Sequence, residues 1–248
     1  PGTVLTSNDP AHRDVHVEVG EVLDEGRRLV DLHAAGADLA LLDDVGEIPL
    51  PPYIHEPLDD PERYQTVFGT HPGSVAAPTA GLHLTDDLLE RCRARGVTVA
   101  PVELVVGLGT FRPITTERVE DHPMHAERYR IPPATATLLD ERSRSTPAGR
   151  VVAVGTTVVR AVESWAATGE AEGETSLFIR DGHRFGVVER LLTNFHVPGS
   201  SLLALVQAFV GPRWRSLYEA ALTDGYRFLS FGDAMLLDRA DLTRHGAA

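Results

Sequence analysis

The chain has no lysine: all 23 basic side chains among its 248 residues are arginine. High-GC coding bias accounts for this, with guanidinium forks suited to phosphate as the functional alternative. A net charge of −13 gives the molecule a field that repels polyanions, so nucleic acid would have to be met by a local basic surface. Arg91, Arg93 and Arg95 on one helix, and Arg213 and Arg215 on another, are the candidate patches, the first reading as a solvated face. A single cysteine, Cys92, excludes an internal disulfide and a cysteine-cluster metal site. No apolar run approaches the ~20 residues of a membrane span. The opening PGTVLTSNDPAHRD lacks the basic start and apolar stretch of a signal peptide. A cytoplasmic protein is expected. The same opening residues read as the interior of a β-rich segment, which points to a longer parent chain.

The composition is otherwise that of a folded soluble protein, with 42% hydrophobic and 24% charged residues. Short apolar runs at Val15–Val19, Arg28–Leu32 and Leu39–Leu42 predict strands in the first 47 residues, with a helix around Asp31–Ala37. IPLPPYI (48–54) is a stiff, extended connector. A helix is predicted over Asp59–Phe68, capped at Asp59 or Asp60 with Pro61 at its first position. A second runs from the cap Thr85 to a terminating Gly96, and VTVAPVELVV (97–106) follows as a strand. Pro133–Arg144 reads as a surface helix. Arg150–Val154 reads as a buried strand that passes through Gly155-Thr156-Thr157 into a helix ending near Ala167. Thr175–Ile179 and Phe185–Val188 resemble a hairpin. Ser200–Val210 and Pro212–Leu222 are helices. Alternating strands and helices make the chain α/β, with a parallel or mixed sheet.

Five segments crowd small residues and histidine more than folding requires: PGSVAAPTAGLHL (72–84), VVGLGTFRPI (105–114), EDHPMHAERY (120–129), VGTTVVR (154–160) and LLTNFHVPGSS (191–201). The helix start at Gly155, Thr156 and Thr157 either binds an anion or is simply capped by a threonine. Gly107, Gly109 and Thr110 follow a strand, where α/β proteins bind ligands, or form a tight turn. Asp121, His122, His125 and Glu127 suit acid–base chemistry or substrate binding. Two histidines three apart could also bind metal, as the minor alternative, since a third ligand of familiar spacing is not visible. His83 and His196 lie in small-residue loops and are either hydrogen-bonded structural groups or catalysts. Asn194 orients a ligand or holds its own turn.

Taken in order, IPLPPYI, ERYQTVF (62–68), GSVAAPTAGLH (73–83), GLGTFRPI (107–114), MHAERY (124–129), VVAVGTTVVRAVES (151–164), LLTNFHVPGSSLLALVQAFVG (191–211) and YRFLSFGDAMLL (226–237) resemble the S-adenosylmethionine:tRNA ribosyltransferase-isomerase family of queuosine biosynthesis. The resemblance implies a three-layer α/β/α core with a mixed sheet over 48–248, and residues 1–47 as the remainder of a β-barrel insertion. It implies transfer of the ribosyl part of S-adenosylmethionine, as co-substrate, to the aminomethyl group of a 7-deazaguanine at the wobble position of a tRNA anticodon stem-loop. Epoxyqueuosine forms, adenine and methionine leave, and no metal is expected. The acid–base candidates it points to are His83, His122 and His125, with Asp121 or Glu127 orienting an imidazole. Gly155, Thr156, Thr157 and Arg160 are candidates for the methionine carboxylate. Thr79, Gly81, Gly107, Gly109, Thr110, Asn194 and His196 would line the donor or base pocket. The alternative is a diverged or non-catalytic relative that binds S-adenosylmethionine or tRNA without turnover. Leu84 stands where the family usually has Phe, Val158 where it has Ser, and Gly199 where it has Lys. The family also carries an N-terminal segment with an N-x-T-R-V-type motif ahead of the first residue here.

Overall fold

Among the described residues, the strands form three sheets of three strands each. The computed structural model describes residues 1–23, 27–34, 46, 48–70, 73–107, 114–144 and 149–243. The chain divides into two compact units, Pro1–Ile48 and Pro49–Ala248.

In the first unit β1 (Thr3–Thr6), β2 (His16–Val22) and β3 (Arg28–His33) form an antiparallel meander. The register of β2 on β3 shifts between Val19 and Val22. Gly20 sits in that stretch, where a Cβ would come within 3.3 Å of the Leu29 carbonyl oxygen. Val4, Leu5, Val22, Leu29 and Val30 are all exposed, so this sheet presents apolar side chains to solvent. The helix expected from Asp31 is a strand as far as His33, because backbone pairing with β2 overrides the weak local helical pattern. The rest of that stretch, and Leu39–Leu42, lie outside the described residues.

The second unit holds two sheets. Strands β4 (Glu103–Val105), β5 (Glu127–Arg130) and β7 (Glu172–Thr175) pair antiparallel in the order β4-β5-β7. Strand β6 (Val152–Val154) runs parallel to β8 (Arg190–Asn194), which pairs antiparallel with β9 (Ala234–Asp238). Ala153, Leu191 and Leu237 face the core, while Val152 and Leu236 on the opposite face are exposed. Between the sheets runs α3 (Thr156–Thr168), which touches β4, β6, β7 and β8. Its polar residues Arg160, Glu163 and Ser164 are buried alongside Val159 and Ala161. Helix α4 (Ser201–Val210) contributes Leu205, Val206 and Phe209 to the same core, and Ser200 Oγ caps it by accepting the Leu203 N–H at 3.2 Å. The remaining helices are α1 (Asp86–Ala94), capped by Thr85 as expected, α2 (Pro133–Arg144), α5 (Trp214–Thr223) and the short α6 (Ala240–Thr243).

Three further expectations change. The predicted helix over Asp59–Phe68 is a single 3-10 turn, Pro61–Tyr64, capped by Asp60. The strand expected over 97–106 is confined to Glu103–Val105, because Pro101 interrupts the ladder that the earlier valines would need. No hairpin joins 175–179 to 185–188. Instead β7 pairs with β5, and the later segment is strapped by a side chain. The buried Glu163 carboxylate accepts the N–H groups of Gly186, Val187 and Val188 at 2.6, 3.1 and 2.8 Å.

His196 is also core. Its Nε2 lies 2.9 Å from Thr193 Oγ1, and its backbone N–H donates to the Tyr218 hydroxyl at 3.0 Å. Burial lowers its pKa from 6.5 to about 4. Between those two values the unfolded chain takes up a proton that the folded chain refuses, so stability is full above pH 6.5 and declines toward about 4. Thermal melts across that window should lose about 3 kcal/mol through this group, and His196→Gln should remove that part of the slope. Glu163→Gln puts an NH2 against backbone donors and should cost about 1–3 kcal/mol, read as a lower urea midpoint.

Candidate active site

The site begins where β6 meets α3. Gly155 turns the chain with φ +94°, in the region that favours glycine, and donates its N–H to the Leu192 carbonyl at 2.9 Å. The helix starts at Thr156 with no side-chain cap. Helix geometry leaves the first-turn N–H groups without intrahelical acceptors, and the dipole makes this end attractive to an anion. Thr156 and Thr157 here line a concavity. Its other walls are His122, Met124, His125 and Glu127 from the segment entering β5, Leu177 to Ile179 after β7, and Ser201, Leu202 and Leu205 of α4. Six expected site residues, His122, His125, Glu127, Thr156, Thr157 and Arg160, thus meet at one place although they are spread over 39 positions of sequence.

Arg160 is the floor of this concavity. Its Nη1 donates to Glu127 Oε2 at 2.5 Å, its Nε to the Leu177 carbonyl at 3.0 Å, and its Nη2 to the carbonyls of His125 and Thr175 at 3.1 and 3.0 Å. Burial lowers the guanidinium pKa, and the Glu127 carboxylate opposes that shift. The arginine therefore holds the walls in place with most of its five N–H donors. His122 is half-buried, its ring edge-on to Phe178 at 5.8 Å between centroids. Its Nδ1 is shielded from solvent without a hydrogen-bond partner. Desolvation, then the neighbouring His125, pulls its pKa below 6.5. Asp121 closes a 3-10 turn (Val119–Asp121), is exposed, and does not line the concavity.

A second cluster forms around the 3-10 helix Thr79–His83. Thr79 Oγ1 donates to Asn194 Oδ1 at 3.1 Å, and Asn194 Nδ2 lies 3.1 Å from His83 Nε2. Gly81 makes this possible, because a Cβ there would fall 2.6 Å from Phe68 Cζ and 2.9 Å from Thr66 Cγ2. The same helix lies against the start of α3, with Ala80 Cβ 3.9 Å from where a Gly155 Cβ would stand. Gly107 is exposed beside Val106, whose N–H donates to Ser74 Oγ at 2.8 Å. Gly109 and Thr110 lie outside the described residues. His196 is in the core and lines neither cluster. Gly199 has φ +76°, a backbone reason for glycine at that turn. Among the described residues, no three His, Cys, Asp or Glu side chains are grouped to hold a metal ion.

Sequence reading missed Met124, Leu177, Phe178, Ile179, Ser201, Leu202 and Leu205 as lining residues. Ser201 was signalled by its place in LLTNFHVPGSS, but the apolar ones look like ordinary core. Comparisons with known proteins give the family. The family model described as "Queuosine biosynthesis protein" matches residues 1–237. An S-adenosylmethionine:tRNA ribosyltransferase-isomerase from Sorangium cellulosum is 51% identical over 255 residues, covering 97% of this chain and 66% of that protein. One of the same name from Rubrobacter xylanophilus is 51% identical over 239 residues, covering 96% and 67%. The crystal structure of an S-adenosylmethionine tRNA ribosyltransferase from Thermotoga maritima matches with a TM-score of 0.53 and 32% identity, over 95% of this chain and 65% of that one. The chain spans about two thirds of the length of these relatives. On the match across residues 1–237 and the shared identity, the chain belongs to the queuosine biosynthesis protein family.

Proposed function

We propose that this chain is an S-adenosylmethionine:tRNA ribosyltransferase-isomerase. It would move the ribosyl part of S-adenosylmethionine to the aminomethyl group of a 7-deazaguanine at a tRNA wobble position, forming epoxyqueuosine and releasing adenine and methionine. The observation that carries the reading is the meeting of two histidines, a buried Arg–Glu pair and an uncapped helix start at one concavity. The sulfonium makes the C5′ proton acidic, and a positioned base must take it. His122, with a lowered pKa and an unpartnered Nδ1, is suited to that task, and His125 is the adjoining group. The first turn of α3, with Thr156 and Thr157, receives the methionine carboxylate. Arg160 and Glu127 position these groups. His83, Thr79, Gly81, Asn194 and Gly107 are assigned to the rest of the donor pocket. The reading uses no metal, and tRNA is the macromolecular partner.

For the architecture, we read the β6-β8-β9 sheet with α3 and α4 as the centre of an α/β/α core. The antiparallel β1-β2-β3 sheet reads as part of a barrel-type insertion. No helix among the described residues is long and apolar enough to cross a membrane, in keeping with a cytoplasmic enzyme. A second reading, binding without turnover, draws on Val158 and Gly199, where the family resemblance implies a hydroxyl and a cation.

Incubation with S-adenosylmethionine and tRNA bearing the aminomethyl base should release adenine. Donor binding without adenine release would establish the second reading instead. His122→Ala should lower kcat by roughly 10²–10⁴-fold with donor affinity largely kept, and a collapse of affinity would remove His122 from the base role. The neutral ring is the active form and its pKa is lowered. The acid limb of kcat/KM should therefore lie below pH 6.5 and vanish in that variant.

A further inference from the structure

The bridge between Thr79, Asn194 and His83 constrains where the imidazole keeps its proton. The Asn194 carbonyl oxygen can only accept, and it accepts the Thr79 hydroxyl at 3.1 Å. The other end of the same amide is an NH2, which can only donate, and it faces His83 Nε2 at 3.1 Å. The nitrogen it meets must present a lone pair. The ring proton then belongs on Nδ1. We infer that Asn194 and Thr79 are positioning residues that hold His83 as its Nδ1–H tautomer, so that His83 serves the site as a hydrogen-bond donor and not as the proton acceptor.

The surroundings make the bridge stiff. Asn194 is only 3% exposed and ends β8, where it pairs with Ala234 of β9. Both other partners sit on one 3-10 helix, Thr79–His83. Gly81 is pressed against Phe68 and Thr66, and the Leu84 N–H closes the turn on the Gly81 carbonyl at 3.0 Å. The lone pair that a base at this position would use is committed to Asn194. What remains for a ligand is the Nδ1–H, which suits an acceptor atom of the donor substrate such as a ring nitrogen, hydroxyl or carboxylate oxygen. The proton-accepting role then falls to the His122–His125 side of the site. The functional half of this inference rests on the transferase reading above, whereas the tautomer does not.

Nitrogen-15 histidine NMR of the whole chain at neutral pH tests it. His83→Gln identifies the His83 signals among the 11 histidines by their loss. The expected pattern is a pyrrole-type Nδ1 and a pyridine-type Nε2. Asn194→Asp offers only acceptors, so the proton should move to Nε2 and kcat should drop by roughly 10²-fold. Thr79→Val releases the amide and should give a mixture of tautomers, which Thr79→Ser should restore to the original pattern together with turnover. A proton on Nε2 in the unaltered chain, through a reversed amide, overturns the inference. So does unchanged turnover in Asn194→Asp with the tautomer reversed. If the tautomer is as stated but the unaltered chain releases no adenine, the tautomer assignment is upheld and the transferase reading falls.

Discussion

The buried Arg160–Glu127 pair is the interaction on which this architecture turns. One guanidinium, emerging from the middle of α3, reaches a carboxylate on β5 and the backbone carbonyls of His125, Thr175 and Leu177. Removing two charges from water is costly, and their attraction repays it only where the remaining hydrogen-bonding capacity is also met. Here three carbonyls complete the shell. The pair is weak grounds for stability in itself. It nonetheless fixes the segment entering β5 and the segment leaving β7 against the same helix, and these are two walls of the candidate site.

The helix that bears Arg160 is positioned by the parallel β6–β8 pair. Gly155 follows β6 and bonds to Leu192 of β8, so the helix begins at the carboxyl end of β6, the usual place for ligands in α/β sheets. The cluster of Thr79, His83 and Asn194 is built against the same turn. Thr156 and Thr157 line the pocket, and the turn before them meets the 3-10 helix that carries the hydrogen-bonded histidine.

Much of this was legible in the residues. RVVAVGTTVVRAVESW carries a β-branched run, a glycine turn and a helical apolar period, and it folds as strand, turn and α3. Ser200 and Thr85 cap helices because a hydroxyl before an apolar or amphipathic run satisfies first-turn N–H groups. The resemblance named His122, His125, Glu127 and the GTT turn as candidates, and these residues line one concavity. Less was legible where backbone pairing decided the outcome. The EGET residues of β7 have no apolar alternation, and only the partner β5 makes them a strand. Arg160 and Glu163 look like the polar face of an amphipathic helix. They are buried because backbone carbonyls and N–H groups from distant loops await them, which no local pattern records.

Arg160 and Glu163 lie three residues apart on α3, about 60° apart around its axis. One grips carbonyls from the β5 and β7 side, and the other grips the N–H groups of residues 186–188. A rod held at two heights and two bearings can neither slide nor roll. The direction in which its first-turn N–H groups point is thereby set from deep inside the core, before any ligand arrives. An anion reaching that end finds its donors already aimed, and little of its binding energy goes into arranging them.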